Sequence, residues 1–158
     1  MSFRFYDTDL RKKLIIFRLT FFIVNLKPVR DYLPQLKKGK TPSILLFSSV
    51  AAKLGMPFHT SIAASKAAIE GVVKSIGSEL ASTVRINAIA PSLTQTDLSS
   101  SLLRNEEAIQ RMIDRHPLKK ILQPEEVADL AGFLISDKAL SISGQTFELD
   151  GGIVSFKL

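Results

Sequence analysis

Three side chains in the middle of the sequence are of types that can bind a carbonyl group and move a proton. Ser49 follows the apolar segment Ser43–Phe47, His59 lies in a loop that contains glycine and proline, and Lys66 lies among alanines. A hydroxyl can hydrogen bond to a carbonyl oxygen, and histidine ordinarily titrates near neutral pH. Each residue also has a structural alternative: a turn serine, a histidine at a helix start and a surface lysine. The residue types therefore nominate Ser49, His59 and Lys66 without deciding between these roles.

The elements around these residues are predicted to be a strand, a loop and a long helix. Ser43–Phe47 is a short apolar run without alternation, which is typical of a strand buried on both faces. Gly55 and Pro57 mark the loop Val50–Thr60 that follows it. A helix is predicted over residues 61–82, where apolar residues at helical spacing are accompanied by small residues that permit close packing.

The remaining chain continues the alternation of strands and helices. Thr83–Ala90 alternates as expected of a strand, and Gly144–Asp150 is predicted to be a third strand. Between them, Glu106–Arg115 is predicted as a short helix that ends at His116, and a further helix starts at Pro124 with acidic residues in its first turn. This order predicts an α/β fold with a parallel sheet of about three strands and flanking helices.

The composition excludes several classes of site. The absence of cysteine excludes disulfides, thiol catalysis and Cys-ligated zinc, and two widely separated histidines make us expect no metal site. The net charge of +6 is concentrated in residues 1–40, which contain ten Lys/Arg and three Asp/Glu, whereas residues 41–158 contain eleven and twelve. A basic segment can attract nucleic acid or anionic membranes, but no aromatic-basic recognition motif accompanies it, so we expect no nucleic-acid partner.

Residues 1–27 form a basic and apolar leader to which no structure is assigned, and residues 28–158 are predicted to be one domain. The apolar run Leu14–Val24 has eleven residues with Arg18 inside it, well below the ~20 that a membrane-spanning helix needs. No small-residue cleavage site follows the run, as a signal peptide would require. We therefore expect no membrane span and a cytoplasmic protein.

The motifs of the latter part of the chain resemble the short-chain dehydrogenase/reductase family. Position 62 lies 13 residues after Ser49, and Lys66 lies 4 residues further on, which is the family's spacing of serine, tyrosine and lysine. The segment VRINAIAP, the helix beginning PEEVA and the ending SGQTFELDGG follow in the family's order. The resemblance covers about Ser43 to Gly152.

The resemblance implies a partial Rossmann-like, doubly wound sheet that lacks the N-terminal dinucleotide-binding half. It also implies NAD or NADP as cofactor and a small carbonyl or alcohol substrate. In the family, the serine that Ser49 matches orients the carbonyl, and the lysine that Lys66 matches binds the nicotinamide ribose and lowers the pKa of the tyrosine. The loop from Pro91 through Ser92 and Thr94 to Thr96 resembles a family segment that contacts the nicotinamide and the phosphates, with Ser92 in place of the usual glycine. For Thr94 and Thr96, ordinary turn or cap roles remain open.

Two departures from the family pattern leave the activity open. Ile62 occupies the tyrosine position and can transfer no proton, so His59 is a candidate replacement for the missing acid. No Gly-rich turn precedes Ser43, although the family's dinucleotide-binding segment contains one. The absence of this turn is what a truncated copy of the family would show. We therefore expect an impaired oxidoreductase. The alternative is an inactive, truncated relative that acts as an interaction module and forms a homo-oligomer through helix 61–82.

Overall fold

The computed structural model describes residues 26–156, which form three parallel strands and four α-helices. The sheet order is β1-β2-β3, and both strand pairs are parallel. The predicted three-stranded α/β fold is confirmed. In chain order the elements are α1 (Lys27–Leu36), β1 (Ser43–Phe47), α2 (Thr60–Leu80), β2 (Arg85–Pro91), α3 (Glu106–Arg115), α4 (Pro124–Ile135) and β3 (Thr146–Leu149).

Helix α2 covers one face of the sheet because its apolar stripe meets the inward side chains of β1 and β2. Ile69 and Val73 of α2 are buried against Ile86 of β2 in the main hydrophobic cluster. Gly77 allows this close approach, since a Cβ there would lie 3.2 Å from Ile86 Cγ2. The absence of a side chain at Gly77 therefore lets helix and sheet approach each other.

Helix α4 contacts both β1 and β2. Arg85 and Asn87 of β2 lie on the sheet face opposite to Ile86, because successive side chains of a strand point to opposite faces. Arg85 is 9% exposed, and its Nη1 donates to Leu134 O at 2.8 Å while Nη2 donates to Ser136 O at 3.2 Å. These carbonyls lie at the end of α4, where a positive charge complements the helix dipole. Asn87 is fully buried and donates to Ile142 O at 2.9 Å, which ties β2 to the segment that enters β3.

The prediction that β1 is buried on both faces is wrong. Ile44 and Leu46 are buried, but Leu45 is only half-buried and Phe47 is 46% exposed. Within residues 26–156, β1 lies at the end of the sheet order, so that β2 takes the position between two strands. All six residues from Arg85 to Ala90 are accordingly buried.

The remaining differences from the predicted bounds are small. Helix α3 has the predicted bounds, α2 covers residues 60–80 instead of 61–82, and β3 covers four residues instead of seven. Gly144 has φ +73, a left-handed conformation that favours glycine and delays the start of β3. The predictions for Leu14–Val24 lie outside the described residues. None of the helices within residues 26–156 is both long and apolar enough to cross a bilayer.

Candidate active site at the carboxyl edge of the sheet

The carboxyl end of β1 is joined to the middle of α2 by Ser48. The Ser48 amide donates to Ile89 O of β2 at 2.8 Å. Its hydroxyl lies 3.0 Å from both Lys66 O and Glu70 Oε1 and, having one proton, donates to one of them at a time. Ser48 is 2% exposed. It therefore holds strand and helix together and leaves its neighbour Ser49 at the open edge of the sheet.

Lys66 reaches from α2 to the end of β1. Its Nζ donates to Phe47 O at 2.8 Å, two residues before Ser49. Partial burial lowers the pKa of the Lys66 ammonium below the usual lysine value, since desolvation disfavours the charged form. The fold thus brings Lys66 and the strand end that carries Ser49 together, as the spacing predicts.

The Ser49 hydroxyl keeps a proton that it can donate. Ser49 precedes the 3₁₀ turn Val50–Ala52, and its Oγ accepts the Ala51 amide at 3.2 Å. A serine hydroxyl has one donor and two acceptor positions, so this bond leaves the O–H free. The turn role anticipated for Ser49 is present, and it does not compete with donation to a ligand carbonyl.

Position 62 presents no polar group to this site. Ile62 lies in the first turn of α2, one turn before Lys66, and is 47% exposed. His59 caps the same helix without a side-chain bond to it, and its Nδ1 lies 2.7 Å from Pro57 O. Because a carbonyl only accepts, Nδ1 carries the hydrogen. The other ring nitrogen of His59 is therefore the atom that can exchange a proton with a ligand.

A cavity of about 310 Å³ opens beside this strand end, between the loop after β1, the loop after β2 and α3. Val50, which directly follows Ser49, lines it, and so does His59. Its walls are mainly apolar, and Ser49, Ile62 and Lys66 do not line it. The remaining lining residues are Leu54, Gly55, Met56, Pro57, Ser92, Leu93, Leu102, Met112, Arg115, His116 and Ile153.

Ser92 and His116 face each other in the wall of this cavity. His116 Nε2 lies 3.1 Å from Ser92 Oγ, and His116 Nδ1 lies 2.7 Å from Met112 O. The residues are 9% and 4% exposed, respectively. His116 ends α3 as predicted, but its contact with Ser92 was not predicted, because the two residues are 24 positions apart and belong to no shared pattern.

The loop residues nominated as cofactor contacts mainly hold the loop itself. Pro91 is the last residue of β2, and the Ser92 amide donates to Leu149 O of β3 at 3.0 Å. Thr94 Oγ1 donates to Ser92 O at 3.1 Å, and the Thr96 amide donates to Ser99 Oγ at 2.9 Å. The turn and cap roles of Thr94 and Thr96 are thus present, and their nucleotide contacts stay predictions. No cluster of potential metal ligands occurs within residues 26–156.

Comparison with known proteins identifies the family to which the chain belongs. A family model described as enoyl-(acyl carrier protein) reductase matches residues 25–154. The chain belongs to the short-chain dehydrogenase/reductase family. The 3-oxoacyl-(acyl-carrier-protein) reductase FabG of Thermotoga maritima is 38% identical over 136 residues, which are 83% of this chain and 54% of that protein. The chain spans about half the length of the curated relatives it matches.

Solved structures agree with this assignment. A short-chain type dehydrogenase/reductase from Mycobacterium ulcerans is 28% identical with a TM-score of 0.74, over 80% of this chain and 46% of the other. A gluconate 5-dehydrogenase from Burkholderia cenocepacia, solved with NADP and tartrate, is 25% identical with a TM-score of 0.76, over 82% of this chain and 51% of the other. The partial Rossmann-like fold predicted from the motifs is therefore confirmed.

Proposed function

We propose that this chain supplies the carbonyl-binding part of an NAD(P)-dependent oxidoreductase that acts on a carbonyl or alcohol substrate, with a rate reduced by Ile62. The supporting observation is the bond from Lys66 Nζ to Phe47 O, which places an ammonium beside the strand end that carries Ser49. Family membership and a relative solved with NADP add to this support. The whole activity requires a nucleotide, and bound nicotinamide would supply the hydride.

The described residues fit the nicotinamide ribose end of such a nucleotide. An ammonium has three donors, and Phe47 O takes one of those of Lys66, which leaves two for ribose hydroxyls. The Ser49 hydroxyl would donate to the substrate carbonyl oxygen. Its proton is free because the Ala51 amide occupies only an acceptor position. Within residues 26–156 there is no Gly-rich turn that would hold a pyrophosphate.

His59 would supply the proton that Ile62 cannot. The Pro57 carbonyl fixes the hydrogen of the neutral ring on Nδ1, so that protonation puts the exchangeable proton on Nε2. His59 also lines the cavity, where the apolar body of the substrate would lie. His59 and the bound substrate would therefore meet in the same cavity.

Titration of the full chain with NADPH, followed by nucleotide fluorescence, tests this proposal. We expect saturable binding, and Lys66→Met is expected to weaken it at least about tenfold because the ribose loses its charged donor. Lys74→Met is the matched control, since Lys74 is an exposed residue two turns further along the same helix. Absence of binding at millimolar NADPH, or equal affinity of the two variants, contradicts the proposal.

Assembly through α2 is a second part of the proposal and would also serve an inactive interaction module. The outer face of α2 exposes Ala64, Ala67 and Gly71, and a Cβ on Gly71 would meet no atom within 4 Å. Small exposed residues at this spacing allow a second helix to approach closely. We expect sedimentation equilibrium to show a dimer that Gly71→Arg dissociates. A monomer at micromolar concentration contradicts assembly and leaves the nucleotide titration unaffected.

A further inference from the structure

The Ser92–His116 pair has the hydrogen-bond arrangement of a nucleophile and its base, and the proposed oxidoreduction does not use it. Met112 O accepts from His116 Nδ1 at 2.7 Å, which fixes the hydrogen of the neutral ring on Nδ1. Nε2 is then an acceptor, and the Ser92 hydroxyl 3.1 Å away donates to it. This is the direction of proton transfer that activates a serine.

Both residues are anchored through their backbone amides. The Ser92 amide is bonded to Leu149 O at 3.0 Å, and the His116 amide is bonded to Ile113 O at 3.0 Å. The His116 ring also packs close to the turn at Gly151, where an added Cβ would lie 3.6 Å from His116 Cδ2. The backbone and the packing therefore keep the ring aimed at Ser92, which preorganises the pair.

The surroundings of Ser92 suit an acyl group. The cavity that the pair lines is about 310 Å³ in volume, and its walls are mainly apolar. Leu93 follows Ser92, and its amide has no acceptor within residues 26–156. An N–H directly after a nucleophilic serine is a common donor to the oxyanion of acyl transfer. Nucleophile, base, oxyanion donor and acyl space thus occur on adjacent segments.

We propose that Ser92 and His116 hydrolyse esters or thioesters of short acyl chains in this cavity. Ser92 Oγ bonds to the ester carbonyl carbon while its proton passes to His116 Nε2. The ester C–O or thioester C–S bond breaks, and His116 returns that proton to the leaving alcohol or thiol. Water, deprotonated by His116, then attacks the acyl-serine and releases the carboxylic acid, and the proton returns to Ser92. The sum is ester plus water giving acid plus alcohol, without a nucleotide.

Met112 O takes the place that a carboxylate has in a Ser-His-Asp triad. It orients the imidazole through the Nδ1 hydrogen, but a neutral carbonyl stabilises the imidazolium less than a negative charge does. We therefore expect slow turnover and ready trapping of the serine by a covalent reagent.

Fluorophosphonate labelling of the full chain, followed by intact-mass and peptide analysis, tests this inference. We expect one adduct per chain, on Ser92. Ser92→Ala should abolish the adduct, and His116→Gln should slow its formation at least ~10²-fold through loss of the general base. Ser100→Ala is the matched control, because Ser100 is an exposed serine of the same loop outside the cavity lining.

Circular dichroism of each variant shows whether it is folded, and Ser92→Ala, which removes only one oxygen atom, carries the decision if His116→Gln unfolds. Folded wild-type protein that gains no adduct overturns the inference. Equal labelling of Ser92→Ala and the wild type overturns it as well. No NAD(P)H is present, so either result leaves the oxidoreductase proposal to its own test.

Discussion

A serine follows the end of each of the neighbouring strands β1 and β2, and the two serines differ in the kind of partner they contact. At the end of β1, Ser49 and Lys66 were nominated by their spacing, but the partners that the structure gives them are backbone atoms, and position 62 is an apolar residue. At the end of β2, Ser92 belongs to a side-chain pair with His116 in the wall of a cavity. Spacing along the sequence identified the first site, whereas only the folded loops assemble the second. The residues nominated by spacing and the serine–histidine pair in the cavity wall are therefore different residues in this chain.

The largest change should come from placing a tyrosine one turn before Lys66 with Ile62→Tyr. Ile62 lies one turn before Lys66 and is half-exposed, so a larger ring fits without disturbing the core. A phenol beside the lysine would supply a general acid, and we expect carbonyl reduction with NADPH to rise about 10²–10⁴-fold. The rate of NADPH oxidation with a small ketone or aldehyde checks this.

Ile62→Phe separates the phenol hydroxyl from the effect of ring size. Ile62→Phe should leave the rate of reduction at the wild-type level, because the phenyl ring of phenylalanine has no hydroxyl and therefore no proton to transfer. No rise in either variant would show that the β1 site lacks the geometry for carbonyl reduction. An equal rise in both would show that the tyrosine hydroxyl is not the source of the gain.

A smaller effect should distinguish the two adjacent serines that follow β1, Ser48 and Ser49. Ser48→Ala should lower the free energy of unfolding by about 1–2 kcal/mol, since it removes a buried hydroxyl and leaves Lys66 O without that donor. Ser49→Ala should cost only about 0.5 kcal/mol, because its bond to Ala51 lies at a partly exposed turn. Urea denaturation measures both. A larger loss for Ser49→Ala than for Ser48→Ala would contradict the assignment of the structural role to Ser48.

The regular elements were predictable because their residues repeat at the period of the structure. The apolar stripe of α2 gave nearly correct bounds, and the acidic first turn of α4 gave its start at Pro124. The burial of β1 was not predictable from its residues, since a uniformly apolar run does not reveal whether a strand lies inside a sheet or at its edge. Position in the sheet order, a tertiary property, decided it.

The two candidate sites differ in the same way. Ser49 follows a regular strand and Lys66 lies on a regular helix, and Lys66 Nζ reaches Phe47 O, two residues before Ser49. Ser92 and His116 lie at the ends of a strand and a helix joined by an irregular connection. The path of that connection depends on hydrogen bonds such as the one that Ser99 Oγ donates to Thr94 O. The periodicity of the sequence does not predict such bonds. The cavity and its serine–histidine pair therefore required the folded structure.

The NADPH titration of wild type and Lys66→Met tests the central claim most directly, because it asks whether the β1 site accepts the nucleotide at all. We predict saturation below millimolar NADPH, at least about tenfold weaker binding in Lys66→Met, and unchanged binding in Lys74→Met. Burial lowers the pKa of Lys66, so wild-type affinity should fall as the pH rises through that lowered value and the ammonium is lost. A fluorescence signal that stays linear to millimolar NADPH, or one that Lys66→Met does not change, contradicts the claim.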